Sequence, residues 1–268
     1  MEAEICTIIQ PHTQTLPVVI SVPHSGTLFP DNLKNEFETE QFKKLDDTDW
    51  FVDKLYSFAP SLGMPLIKAN YSRWVIDLNR DPQSKPLYTD GRVITALCPA
   101  TDFMGNAVYK DKRNSVVPEE VNKRLALYYT PYHQHLQSLL SETKARFGYA
   151  ILWDCHSIRS RVSAIWPTRF PDLILGTADE TSASPILIQQ ALSALTESQW
   201  QVNHNNPFKG GYITRQYGKP HEGIHALQLE MCKDLYLNDN QTEWHVERAT
   251  EVQSLLQETL LRLAQTQP

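Results

Sequence analysis

The chain has 268 residues, 41% of them hydrophobic and 21% charged, and a net charge of −6, the make-up of a globular protein with a sizeable core. The acidic balance, with no basic stripe and no zinc-finger spacing, argues against a nucleic-acid partner, and no apolar run approaches the roughly 20 residues that cross a bilayer. Cys6, Cys98, Cys155 and Cys232 lie far apart with no CxxC pair; with an acidic start that lacks a signal-peptide pattern, this implies reduced thiols and a cytoplasmic location.

Taken in order, residues 4–9 and 18–22 read as strands. The second is Val-Val-Ile-Ser-Val, followed by Pro23, which cannot donate to a ladder, and then His24-Ser25-Gly26. Residues 42–62 read as a helix, with Phe51, Leu55, Phe58 and Leu62 at helical spacing. Asp46, Asp47 and Asp49 lie near its start, where acidic residues suit the helix dipole, and Gly63 is a C-cap stop. Residues 65–69 and 73–78 read as two further strands, the latter with Trp74, Ile76 and Leu78 on one face. Residues 81–113, rich in Pro and Gly, form a long loop of the functional or mobile kind.

Residues 118–147 carry the clearest helical pattern, which Pro131 should kink or split. His133 and His135 are two apart on it, on different faces, and read as surface residues. Residues 149–154 form a near-continuous apolar strand ending in Asp154-Cys155-His156-Ser157, which suits a central position. A short strand at 172–176 precedes a helix begun by Ser184-Pro185, with Leu187, Ala191, Leu192 and Leu195 inward. Then come a strand at 200–203, a polar loop at 205–218 and a last strand at 224–231. Asn240 and Glu243 suggest a capping box for a closing helix through residue 263. Strands alternating with helices imply one α/β domain over 1–268, three-layered (α/β/α) around a mixed, largely parallel sheet.

Strand ends gather along one edge of such a sheet. There, His24 and His156 would supply two nitrogens to a divalent metal and Asp49 an oxygen, leaving an open position for water. Asp154, two residues before His156, could ligate directly or fix a histidine's tautomer from behind. Glu230 closes an apolar strand, where a carboxylate is costly unless paired or employed; beside a metal it would serve as general base. Arg73, Arg80, Arg159 and Arg215 favour a carboxylate-bearing substrate. Other readings of the same residues are unrelated polar strand ends, a Ser25 or Cys155 nucleophile, and a non-catalytic carboxylate-binding module.

Six stretches occur in a characteristic order: Pro23-His24-Ser25-Gly26, Asp49-Trp50, Ser72 through Arg80, Asp154-Cys155-His156-Ser157, Gly210 through Arg215, and Leu227-Gln228-Leu229-Glu230. Together they resemble the N-formylglutamate amidohydrolases over most of the chain, a family similar in fold to zinc carboxypeptidases. The resemblance implies hydrolysis of N-formyl-L-glutamate to formate and L-glutamate, the last step of one histidine degradation route, with one zinc ion. It implies His24, Asp49 and His156 as metal ligands, Glu230 as the catalytic glutamate and Arg73 as the residue that polarises the carbonyl. Asn79 and Arg80 resemble a carboxylate-gripping pair, with Arg159, Arg215, Gly211 and Thr214 completing the substrate site. In carboxypeptidases the first histidine and the acidic ligand stand three apart, whereas His24 and Asp49 are distant in sequence.

Overall fold

A computed structural model of the chain describes residues 4–38, 47–86 and 95–268. The described strands form one seven-stranded sheet. They are β1 (Cys6–Ile9), β2 (Val18–Val22), β3 (Leu66–Ala69), β4 (Ala150–Ile158), β5 (Leu173–Gly176), β6 (Val202–His204) and β7 (Ile224–Cys232), in the order β1-β3-β2-β4-β7-β5-β6. Pairing is parallel for β3-β2, β2-β4, β4-β7 and β5-β6, and antiparallel for β1-β3 and β7-β5. The mixed, largely parallel sheet expected from the sequence is therefore present.

The helices are α1 (Val52–Leu55), α2 (Pro118–Arg124), α3 (Thr130–Phe147), α4 (Pro185–Thr196), α5 (Tyr212–Tyr217) and α6 (Val246–Gln265). On one sheet face Trp153, Cys155, Leu227 and Leu229 pack against Leu187 and Leu195 of α4 and Leu256, Leu260 and Leu263 of α6. On the other, Val19, Ala150, Leu152 and Ala226 pack against Leu136, Leu139 and Leu140 of α3. Both faces are covered, so β2 is buried at every position, as a continuous apolar strand must be.

Several elements differ from the sequence reading. Residues 73–78 are a compact turn, not a strand. Its backbone is spent elsewhere: the Val75 N–H donates to the Ser72 carbonyl, Asp77 N–H to Leu97, and the Val75 carbonyl accepts from Arg124. The helix expected over 42–62 is reduced, among described residues, to α1 and a 3₁₀ turn at Ala59–Leu62. Phe51, at φ 60°, is left-handed and cannot lie inside a helix; residues 42–46 of that expectation, and 87–94 of the long loop, fall outside the described residues. The closing helix starts at Val246, capped by the His245 side chain rather than by Asn240. It is Asn238 that accepts the N–H groups of Thr242 and Glu243. The loop expected over 205–218 contains α5. Pro131 does divide its helix: a π-helical turn at Leu125–Tyr129 joins α2 to α3, absorbing the hydrogen bond that proline cannot donate.

His133 is the clearest correction. It is not a surface residue but is enclosed by Tyr129, Tyr132, Tyr212 and Tyr217. One ring nitrogen, Nε2, lies 2.9 Å from the Leu78 carbonyl, and Nδ1 lies 2.9 Å from the Tyr217 hydroxyl. His135 on the next face is exposed, as expected.

Burial lowers the His133 pKa to about 4, against an opposing hydrogen bond to Leu78 and the charge of Asp154. The folded value lies below the ordinary 6.5, so the folded state binds fewer protons, and stability present above pH 6.5 is lost as pH falls toward 4. The contribution is on the order of 2–3 kcal/mol. Urea unfolding of the wild type and of His133→Gln at neutral and mildly acidic pH should show a shallower acid loss in the variant. Equal losses would remove His133 as a source of acid sensitivity.

Candidate metal centre

The C-terminal ends of β2 and β4 and the segment just before α1 bring three ligand atoms together, and the turn at 73–80 stands behind them. His24 stands two residues beyond β2, where Gly26 allows the chain to pass the 70–72 backbone. A Cβ on Gly26 would lie 2.3 Å from the Tyr71 carbonyl oxygen, so only glycine fits. The Asp49 N–H donates to the His24 carbonyl at 3.0 Å, which fixes the acidic residue beside the first histidine despite their distance in sequence. His156 lies within β4 rather than after it, because β4 continues to Ile158.

His24, Asp49 and His156 are buried, and one ligand atom from each lies within 4.8 Å of the others. The His156 Nδ1 is 3.0 Å from Asp49 Oδ2, and the His24 Nδ1 is 3.8 Å from the same oxygen. Behind them, His24 Nε2 is 2.8 Å from Asp77 Oδ1 and His156 Nε2 is 3.0 Å from Asp154 Oδ2. With each Nε2–H given to a carboxylate, both Nδ1 atoms face the Asp49 oxygen, and a metal ion there would take the place of the proton that His156 Nδ1 otherwise shares with Asp49. Among the described residues, His24 Nδ1 is buried with no hydrogen-bond partner. Three electron-pair donors converging among buried residues, each histidine backed by a carboxylate, have the character of a divalent-metal site of two nitrogens and one oxygen.

The surrounding charges agree with this reading. Burial would raise the Asp77 carboxyl, but Arg73, Arg80 and His24 hold it well below the usual range. Burial and then Arg73 push the His24 pKa down to about 4, so its imidazole is neutral. Burial disfavours the His156 cation too, yet Asp154 and Asp49 raise its pKa well above normal. Positive charge is therefore favoured between His156 and Asp49, where a metal ion would sit.

Glu230 is the register partner of His156 in the parallel pair β4-β7, so the two side chains share a sheet face. Burial, partly offset by His156, raises its pKa to about 8. Arg73 donates to Asp77 Oδ2 at 2.6 Å, lies 4.0 Å from Asp49 and stacks on the Phe103 ring. Asp47, in turn, accepts from the Phe103 N–H and the Trp74 indole and is occupied there.

The remaining expected residues divide into two groups. Asn79 is turned inward: its amide nitrogen is 3.0 Å from His156 Nε2 and 3.3 Å from Asp154, and its oxygen accepts the Ile213 N–H. Gly211 packs on that amide, where a Cβ would lie 2.3 Å from Nδ2, and its N–H donates to Gln228 Oε1. Thr214 is buried, its hydroxyl without a hydrogen-bond partner among the described residues. Arg80 is half-buried and reaches Thr95 and Asp77; Arg159 is half-buried just past β4, and Arg215 is exposed, its Nε donating to the Gly210 carbonyl. Asp77 lies in the stretch 73–78 expected as a strand and is given no role by the sequence reading. Its signal was a carboxylate set between Ile76 and Leu78, the argument that had singled out Glu230.

The family model of the N-formylglutamate amidohydrolases matches residues 16–237. The N-formylglutamate deformylase of Pseudomonas putida is 39% identical over 233 residues, covering 86% of this chain and 85% of that one. The N-formylglutamate deformylase of Pseudomonas aeruginosa is 42% identical over 228 residues, covering 84% and 83%. The crystal structure of N-formylglutamate amidohydrolase from Ralstonia eutropha JMP134 superposes with a TM-score of 0.80 at 29% identity, covering 97% of each chain. No helix among the described residues is long and apolar enough to cross a membrane.

A site of this kind should tie cation binding to stability. Zinc at about 100 times its dissociation constant should stabilise chelator-stripped protein by roughly 2.7 kcal/mol, read as a rise in Tm. Asp49→Asn, which weakens the oxygen donor while keeping its shape, should lose most of that rise. An identical rise in the variant would place the cation elsewhere. Gly211→Ala should also reduce the rise, because the added methyl displaces Asn79 from His156.

Proposed function

Because the chain belongs to the N-formylglutamate amidohydrolase family, we propose that it hydrolyses N-formyl-L-glutamate to formate and L-glutamate. His24, Asp49 and His156 hold one divalent cation, zinc by the chemistry of the donors. The observation that carries this reading is the buried, unpartnered Nδ1 of His24 facing the same Asp49 oxygen as His156 Nδ1. Such a cation, when bound, acts as a Lewis acid toward a carbonyl oxygen and makes water more acidic.

The chain's own residues do the rest. The Glu230 carboxylate, beside His156 on one sheet face, takes a proton from the attacking water. It then delivers that proton to the nitrogen of the departing amine, so the C–N bond breaks to a neutral amine and formic acid, whose remaining proton passes to the amine to leave formate and an ammonium group. Its raised pKa suits a group that must both accept and return a proton near neutrality. Arg73, anchored by Asp77 and by the Phe103 ring, supplies fixed positive charge toward the developing oxyanion. Arg80, Arg159 and Arg215 attract and orient the two substrate carboxylates, with Gly211 and Thr214 shaping the wall between them. The inward amide of Asn79 supports a role in orienting His156 through Asp154. The substrate is a small anion, and the setting is cytoplasmic histidine degradation.

Purified protein should contain about one equivalent of metal per chain and should release formate from N-formyl-L-glutamate. Glu230→Gln should keep cation affinity within a few-fold while kcat falls by about 10²–10⁴. Full turnover in that variant, or after exhaustive chelation, would overturn the mechanism. Preference for a different N-acyl amino acid in a substrate panel would replace the substrate.

A further inference from the structure

The turn at residues 77–80 reaches both metal-binding histidines, Asp77 directly on His24 and the Asn79 amide through Asp154, whose Oδ2 accepts from Asn79 and lies 3.0 Å from His156 Nε2. Its three following carbonyls are each met from outside the turn. The Leu78 oxygen lies 2.9 Å from His133 Nε2, the Asn79 oxygen accepts the Tyr212 N–H at 3.4 Å, and the Arg80 oxygen accepts the Tyr129 hydroxyl at 2.8 Å. Tyr129 and His133 are four residues apart, hence on one helix face, with rings 4.1 Å apart. Tyr129 closes the π-helical turn, a distortion that often marks a functional position.

We propose that Tyr129 and His133 are positioning residues that clamp the 77–80 backbone and thereby hold Asp77 and Asn79 where they orient the two histidines toward the cation. The inference rests on the metal-site reading above and names residues that lie outside it. A carbonyl oxygen can only accept, so the bond to Leu78 requires the Nε2–H tautomer of His133. The Tyr217 hydroxyl lies 2.9 Å from Nδ1 and 3.1 Å from the His133 carbonyl, and so meets the residue from its other side. This neutral, doubly engaged ring acts as a fixed strut. Asp77 has no comparable freedom to adjust, because its two oxygens also hold Arg73 and the Asn79 N–H. Loss of either clamp therefore passes directly to the carboxylate behind His24.

The test compares zinc affinity of the full, chelator-stripped chain, measured by competition with a chromophoric chelator, in the wild type, Tyr129→Phe, His133→Phe and His133→Gln. Removing an outer partner of a metal site typically costs 10–100-fold in affinity, and each Phe variant should lose at least about tenfold. His133→Gln, whose amide nitrogen can occupy the Nε2 position and donate to Leu78, should recover most of the loss. Circular dichroism establishes which variants are folded; should His133→Phe fail to fold, Tyr129→Phe, which lacks a single hydroxyl, carries the test. Folded variants that bind zinc as tightly as wild type, with only a lowered Tm, would overturn the clamp and leave the metal site standing. Wild type that takes up no zinc would overturn the site reading and the clamp with it.

Discussion

A carboxylate buried away from water is tolerated only if donors surround it, and the site is arranged around one such group. Asp77 is fully buried and receives His24 Nε2 at 2.8 Å, the Arg73 guanidinium at 2.6 Å and the Asn79 N–H at 2.9 Å. Each donor has a second task. His24 is left with a free Nδ1, Arg73 is held near Asp49, and Asn79 is directed to His156 and Asp154. Removing one partner from such a network leaves the others unsatisfied in a low dielectric, which is why it behaves as a unit.

The sheet supplies the rest of the geometry. Parallel pairing of β4 with β7 sets Asp154 opposite Gln228 and His156 opposite Glu230. Four polar side chains thus occupy one face at the C-terminal edge, while Trp153, Cys155, Leu227 and Leu229 occupy the other. A strand with one apolar face and a half-polar second face can be buried only if something polar covers the second. The 77–80 turn and α5 do so, and Gly211 permits their close approach because no side chain stands between its Cα and the Asn79 amide. Ser21 of β2 completes the polar surface, its hydroxyl 2.9 Å from Asp154 and 3.1 Å from the Tyr132 hydroxyl.

The segment carrying Asp49 is held with similar economy. The Tyr236 hydroxyl lies 2.8 Å from both the Trp50 carbonyl and the Ser157 hydroxyl, linking the residues that follow Asp49 and His156. Phe51 is left-handed immediately after. That conformation costs of order 1 kcal/mol or more for a non-glycine residue and persists where surrounding contacts fix it. The chain gives up helical continuity here to deliver a carboxylate to the sheet edge.

Local chemistry made much of this legible. Val18–Val22, β4 and β7 are apolar runs that have no other stable use than as central strands, and His24, His156 and Glu230 stood out as polar groups at their ends. What local pattern could not decide was which backbone groups are satisfied by distant partners. Residues 73–78 alternate like a strand, but Arg73 and Asp77 find each other four residues apart and Arg124 takes the Val75 carbonyl, so a turn forms. His133 sits among residues that read as a helix surface, yet Leu78, distant in sequence, and Tyr217 enclose it. The sequence alone determined the alternation of strands and helices and the donors available for a metal, since both follow from side-chain type and spacing. Only the tertiary structure decided that Asp77 stands behind His24 and which helix grips the turn that carries it, because those contacts join residues 50 or more positions apart and depend on the order of strands in the sheet.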